Sequence, residues 1–227
     1  MSDLVSSVER FRASAADVRP ATVAVPAGAL WISSAPSAIS IAPFRLGRTP
    51  VTNREYAPFL DCGRAEAPPW WSDLHFSRPR QPVVGITWDD AAAYCAWLSE
   101  RTGGRWRLPT EAEWEFAMCG GLHAPATAWG DRVPGAEIPE GSLDGPWDVG
   151  LGTPNGYGLC DAGTIVHEWC ADWSDLDGSR PGPRRRASRG GSWRHRIRWS
   201  PPSARTSLPP EYRYSDYGFR VLQEVDE

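Results

Sequence analysis

The sequence predicts a single α+β domain in which short β runs and a few helices are joined by many turns. Three observations lead there. Gly and Pro each occur 22 times in 227 residues, which divides the chain with turns and leaves little room for long helices. Thirteen Trp stand against two Met, so large aromatic rings supply the cohesion. Short runs of β-prone residues alternate with a small number of marked helix starts.

Taken in order, residues 1–21 form an N-terminal arm or short helix, with Leu4, Val8 and Phe11 at helical spacing, and residues 22–227 form the domain. β runs follow at Val23 to Val25, Leu30 to Ile32 and Ile39 to Leu46, punctuated by Pro and Gly. Three helices open on the same signal: Thr52-Asn-Arg-Glu55, Thr87-Trp-Asp-Asp90 and Thr110-Glu-Ala-Glu113. A Thr hydroxyl there accepts from the third helical amide, while the acid three residues on reaches back to the Thr amide. Pro58 removes an internal hydrogen bond from the first helix, which is expected to bend or stop there. The second carries Ala91, Tyr94, Cys95 and Leu98 on one face and ends near Gly103-Gly104. The third presents Trp114, Ala117 and Met118 inward before Gly120-Gly121. Gly121 to Gly158 is loop-rich, and a loop region this long in a compact domain is more often functional or ion-pinned than idle. The last strands are expected in Leu159 to Trp173, Arg184 to Arg186 and Ser188 to Arg220.

Composition narrows the function classes. The five cysteines (Cys62, Cys95, Cys119, Cys160, Cys170) are odd in number and contain no CxxC pair, which argues against a disulfide framework or a zinc ribbon. Buried thiols in a reducing compartment are the default. There is no signal-like apolar stretch at the N-terminus and no 18-residue apolar run, so the expected localisation is cytoplasmic, with no membrane partner. The net charge of −4 is uneven, −9 over residues 1–180 and +5 over residues 181–227, and every basic residue is arginine. A basic surface on an acidic body is the result. Overall acidity and the lack of zinc-finger, helix-turn-helix or RNP signatures argue against nucleic acid, despite the arginines between Arg184 and Arg198.

That basic region has an internal pattern. Arg194, Arg196 and Arg198 alternate with His195, Ile197 and Trp199, so an extended chain would set arginines on one side and aromatic and apolar groups on the other. Arginine forks hold carboxylate or phosphate, and aromatic faces hold planar or cationic groups, which points to an anionic peptide or small anionic metabolite. The alternative is that these arginines pair with the acidic remainder of the domain.

The ordered series Pro50-Val51-Thr52-Asn53-x-x-Tyr56, Pro82-Val83-x-x-Ile86-Thr87-Trp88-x-x-Ala91, Arg107-Leu108-Pro109-Thr110-Glu111-Ala112-Glu113-Trp114-Glu115, Asn155-Gly156-x-Gly158-Leu159, Glu168-Trp169, Arg189-Gly190-Gly191-Ser192-Trp193 and Gly218-Phe219-Arg220 resembles the sulfatase-modifying-factor family. That family includes formylglycine-generating enzyme, the C-terminal domain of ergothioneine sulfoxide synthases and the pyoverdine tailoring protein. The resemblance covers roughly residues 22–222 and implies a fold similar to a C-type lectin. It does not choose a function, because the family holds both catalysts and non-catalytic binders.

What the resemblance implies about chemistry depends on the segment after Gly190-Gly191-Ser192. Formylglycine-generating enzymes bind copper(I) there through two cysteines, as soft thiolates suit that ion. Here the first falls on His195 and the second near Ser200, and no cysteine follows Cys170. Copper is argued against, and His195 becomes the candidate catalytic residue, in a basic aromatic cleft with Ser192, Trp193, Arg194, Arg198, Trp199 and Arg205 for the substrate. An iron site from His167, His195 and a carboxylate is the weaker alternative; His167 and Glu168, adjacent on a strand, point to opposite faces and do not chelate together. The resemblance also implies a structural calcium held by Asp161, the backbone oxygens of Thr164 and Val166, and Glu168, all hard ligands. Thr164-Ile165 replaces the usual Gly-Asn of that turn, and a second calcium position would fall on Glu137, Ile138 and Asp144. Two function classes follow: an enzyme performing oxidative or tailoring chemistry on a peptide or anionic metabolite, and a non-catalytic module that binds a ligand or partner protein on the same scaffold.

Overall fold

Each of the three Thr signals opens a helix. In the computed structural model, which describes residues 19–31, 37–130, 138–139, 144–175, 184–196 and 200–225, α1 spans Asn53–Asp61, α2 Trp88–Thr102 and α3 Glu111–Cys119. Thr52, Thr87 and Thr110 each accept from the amide three residues on, and Glu55, Asp90 and Glu113 each return a carboxylate to the Thr amide. Gly103 and Gly120 close α2 and α3 in the left-handed region. α1 does not stop at Pro58: only one internal donor is missing, and Tyr56, Ala57 and Phe59 are buried on either side of it, so packing carries the helix on to Asp61. Most of the expected arm at 1–21 lies outside the described residues. No helix among those described is long and apolar enough to cross a membrane.

The strands form three small sheets. β1 (Thr22–Val25), β4 (Phe44–Gly47), β10 (Leu222–Glu224) and β5 (Trp106–Arg107) make an antiparallel sheet in the order β1-β4-β10-β5. β2 (Gly28–Leu30) and β3 (Ile39–Ile41) form a hairpin pair. The third sheet runs β8 (Arg205–Leu208), β7 (Arg186–Arg189), β6 (His167–Trp173), β9 (Tyr217–Phe219), with β6 and β9 parallel and the rest antiparallel. The run expected from Ile39 to Leu46 is two strands in two sheets, broken at Ala42-Pro43, because Pro43 has no N–H for a ladder. Leu159 to Val166, expected as strand, is a succession of bends and turns, and extended pairing starts only at His167.

Aromatic rings fill the core as the composition implied. Tyr56 stacks on Tyr94 at 5.4 Å, and Phe59 and Phe219 meet Tyr94 edge-on at 5.6 and 5.4 Å. A second cluster gathers Phe44, Leu46, Trp114, Met118 and Leu159 beneath α3. Between the clusters lies a buried ion pair. The Arg220 guanidinium donates to both oxygens of Glu168 at 3.0 Å each, to Gly47 O at 2.9 Å, to Arg48 O at 2.8 Å and to Cys160 O at 3.1 Å. All five of its donors are therefore used. Trp114 Nε1 adds a 2.7 Å bond to Glu168 Oε2, and both charged residues are fully buried.

Removing one partner leaves an uncompensated charge in the core. Glu168→Ala is expected to lower unfolding free energy by about 3 to 5 kcal/mol in denaturant titrations followed by Trp fluorescence, whereas the double change Glu168→Leu/Arg220→Met recovers most of that loss.

Candidate functional site

A tight turn at Ser192–His195 presents the candidate residues. It is held from behind: Gly191 N donates to Gly163 O at 2.7 Å and Trp193 N to Ile165 O at 2.9 Å. Gly190 sits at φ 76°, and a Cβ there would come within 2.7 Å of Gly163 Cα, while one on Gly191 would overlap the Ser200 hydroxyl. The Gly-Gly pair is thus required by close backbone approach. His195 N then donates to Ser192 O at 2.8 Å and closes the turn. This corrects the extended alternation expected from Arg194 onward: at its start the chain bends instead of running as a strand. Arg198 and Trp199 lie outside the described residues.

Two imidazoles face each other at this turn. The rings of His195 and His167 are 5.3 Å apart, edge to face, with His167 also 4.8 Å from the Tyr217 ring. His167 Nδ1 donates to Gly190 O at 2.7 Å, which leaves Nε2 with the lone pair. His195 Nδ1 accepts from Ser192 N at 3.2 Å, so its proton is on Nε2. The pair therefore combines a proton acceptor and a proton donor. Burial lowers the pKa of His167, and His195 adds to that, while Asp216 and the Gly190 carbonyl pull the other way. His167 and Glu168 do use opposite faces of β6, one towards this pair and the other towards Arg220.

Asp216 was not visible in the sequence as part of the site. Parallel pairing of β6 with β9 brings it alongside, and His167 N donates to its carbonyl at 2.9 Å. Ser192 Oγ donates to Asp216 Oδ2 at 3.1 Å and lies 3.4 Å from His195 Nδ1. Ser192 is buried and its proton goes to the carboxylate, so it positions Asp216 and His195 and is not an activated nucleophile. Trp193 is also interior, its indole donating to Ser215 O at 3.2 Å and packing on Phe76. Arg194, half exposed, lies over Trp193 at 4.6 Å and donates to Ser215 Oγ at 2.7 Å. Arg205 is elsewhere, held by both oxygens of Glu111 at 2.8 Å and by Asp175. Of the nominated substrate residues that are described, Ser192, Trp193 and Arg194 gather at the turn, and Arg205 does not join them.

The metal sets can be tested against this geometry. In the calcium set, both Glu168 oxygens accept from Arg220, with Trp114 on one of them, so a guanidinium already occupies the cation's side of that carboxylate. Ile165, in the place of the turn's usual Asn, is fully buried in an apolar cluster. Asp161 takes Gly150 N on Oδ2 at 2.7 Å, and its Oδ1 and the Thr164 hydroxyl have no partner. With Glu168 taken by the guanidinium, Asp161 Oδ1 and the backbone oxygens of Thr164 and Val166 fall short of the six to eight that calcium takes, so Asp161, Thr164, Val166 and Glu168 do not fit a calcium cage here. Of the second set, Glu137 lies outside the described residues. For iron, no group of three His, Cys, Asp or Glu among the described residues could hold an ion. His195 also turns its acceptor nitrogen to a backbone N–H and not outward.

The fold and the motifs can now be compared with known proteins. Residues 8–225 match the sulfatase-modifying factor enzyme 1-like domain. The chain belongs to this family. It is 28% identical over 263 residues to the formylglycine-generating enzyme of Streptomyces coelicolor, covering 83% of this chain and 80% of that protein. Among solved structures, PvdO from Pseudomonas aeruginosa superposes with a TM-score of 0.75 at 24% identity, covering 94% of this chain and 97% of that one. CarF gives 0.74 at 21%, covering 92% and 100%. The domain is thus formylglycine-generating-enzyme-like, with the C-type-lectin-like α+β fold that the motifs implied.

Within this family member, the orphaned Asp161 makes a separate prediction. Burial pushes its pKa up to about 6, against the Gly150 amide and Arg220, which lower it. Below about pH 4 the carboxyl is neutral in both states; from about pH 4 to pH 6 only the unfolded chain ionises, so stability falls as pH rises. The loss is on the order of 2 to 3 kcal/mol, and in Asp161→Asn it should be absent from pH-dependent melts. Added calcium or chelator is expected to leave the wild-type melting temperature unchanged.

Proposed function

We propose that this formylglycine-generating-enzyme-like domain carries out tailoring chemistry on an anionic peptide or small anionic metabolite at the Ser192–His195 turn, by proton transfer and without thiolate-bound copper. The observation that carries this reading is the His167–His195 pair, whose hydrogen bonds place a lone pair on one ring and a proton on the other. Arg196, exposed beside His195, offers donors for a carboxylate or phosphate, and Arg194, which holds Ser215 and lies 3.8 Å from Asp216, keeps part of its exposed guanidinium for the same use. His167 would take a proton from the carbon or heteroatom that reacts, and His195 would donate to the oxygen where negative charge develops. An oxidative outcome additionally takes molecular oxygen or another co-oxidant as a substrate. The cysteine pair needed for copper-dependent formylglycine formation is missing, since no cysteine follows Cys170.

A second reading, a ligand- or protein-binding module, is favoured by Ser192, which is buried on Asp216 and leaves the turn without an exposed hydroxyl nucleophile. The two part in one experiment. A panel of acidic peptides and of di- and tricarboxylates is incubated with the protein in air, mass changes are followed, and binding is read by Trp fluorescence. The tailoring reading expects a product whose formation drops at least about 100-fold in His195→Ala and His167→Gln, with binding changed by less than about three-fold. Its rate should stay level below pH 6.5 before falling, because His167 remains neutral there. Undiminished turnover in either variant would sink the proton-transfer mechanism, and binding with no product from any compound would establish the module.

A further inference from the structure

A cavity beside α3 has no part in the Ser192–His195 turn. It encloses about 820 Å³ between the β2–β3 hairpin, α3 and the ends of β7 and β8. The hairpin is pressed onto the helix, since a Cβ on Gly28 would come within 2.5 Å of the Phe116 ring. Phe116 and Tyr157, rings 5.9 Å apart, line one side. Trp31, Ile39 and Leu122 line it as well and are 63, 37 and 47% exposed, so the opening has an apolar rim. Large apolar side chains left in water around a concave, polar-floored space are a mark of a ligand site.

The charges decide what kind of ligand. Glu111, Glu115, Asp172 and Asp175 face Arg189 and Arg205, an excess of two negative charges. The arginines are engaged: Arg205 spans Glu111 and Asp175, while Arg189 lies 3.0 Å from Glu111 and 2.7 Å from Glu115. The carboxylates keep spare capacity. Glu115, Asp172 and Asp175 use one oxygen each, for Arg189, the Glu111 amide and Arg205, and the other oxygen meets no donor among the described residues. An anion would find its partners taken, whereas a cation would find acceptors. We propose that this cavity binds an organic cation with an apolar body, a protonated amine or guanidinium on an alkyl chain. Its charge lies against Glu115, Asp172 and Asp175, and its chain lies on Trp31 and Phe116. The same chemistry is presented by a free amine metabolite and by a basic side chain of a peptide.

Calorimetric titration tests this with three probes: agmatine, acetyl-Leu-Arg-amide, and glutarate as an anion of similar length. Agmatine or the dipeptide is expected to bind with Kd below about 1 mM at low salt, and glutarate not at all. Binding of the dipeptide alone assigns the source to a peptide side chain, and binding of agmatine alone assigns it to a free amine. Trp31→Ala and Asp175→Asn alter exposed side chains, so the fold is retained, which unchanged melting temperatures confirm. Each is expected to weaken binding about five-fold or more. Glutarate binding as tightly, no binding of either cation at 10 mM, or unchanged affinity in either variant would overturn the proposal.

Discussion

The structure depends on one guanidinium. Arg220 is fully buried, and a buried charge is tolerable only when its hydrogen bonds are complete. Glu168 answers two of its donors and the carbonyls of Gly47, Arg48 and Cys160 answer the rest. Those partners come from the end of β4, the turn that follows it, the irregular stretch before β6 and β6 itself. One side chain therefore fixes segments that share no ladder. In a domain with this much irregular chain, such a hub does the work that long helices and wide sheets do elsewhere, and the Trp114 indole on Glu168 ties α3 to it.

The charge asymmetry of the sequence acquires a structural meaning from this. Most of the excess arginine in the C-terminal quarter faces inward or sideways: Arg189 on Glu111 and Glu115, Arg205 on Glu111 and Asp175, Arg213 on Asp90, Arg186 stacked between Trp88 and Trp173 at 3.5 and 3.8 Å. The acidic body and basic tail are thus largely each other's counterions. Arg194 remains half exposed and Arg196 exposed, both beside His195. Among the described residues of that quarter, exposed basic side chains outside those pairs are thus found at this turn and at Arg184 over Trp173, while a different, net acidic cavity opens beside α3.

Much of the fold was legible because its signals are local. A Thr with an acid three residues on is a complete instruction for a helix start, and all three such signals produce capped helices. The motif series likewise identified the family. The site was less legible. Ser192 and His195 are three residues apart, close enough to share a turn, but Asp216 reaches them through parallel pairing of β6 with β9, which no sequence spacing encodes. Arg205 carries the same charge as Arg194 and sits one strand away from the Gly-Gly motif, yet pairing of Arg189 with Arg205 directs it to Glu111. Pro43 lies within the Ile39 to Leu46 run, which the sequence pattern reads as one strand, and its missing ladder donor divides that run between two sheets.

The placement of β10 between β4 and β5 bears on the order in which the molecule is made. Leu222 pairs with Leu46 and Arg107, so the first sheet has a gap at its middle until the final strand has left the ribosome. β1 and β4 can pair early as a short ribbon, but two strands alone are marginally stable in water. The nascent chain must therefore wait, with aromatic surface uncovered, for contacts that span most of its length. Such long-range closure is slow and exposes the chain to aggregation. Expression at lowered temperature or with chaperones abundant would favour recovery of the folded domain, and any truncation that removes β10 would forfeit it.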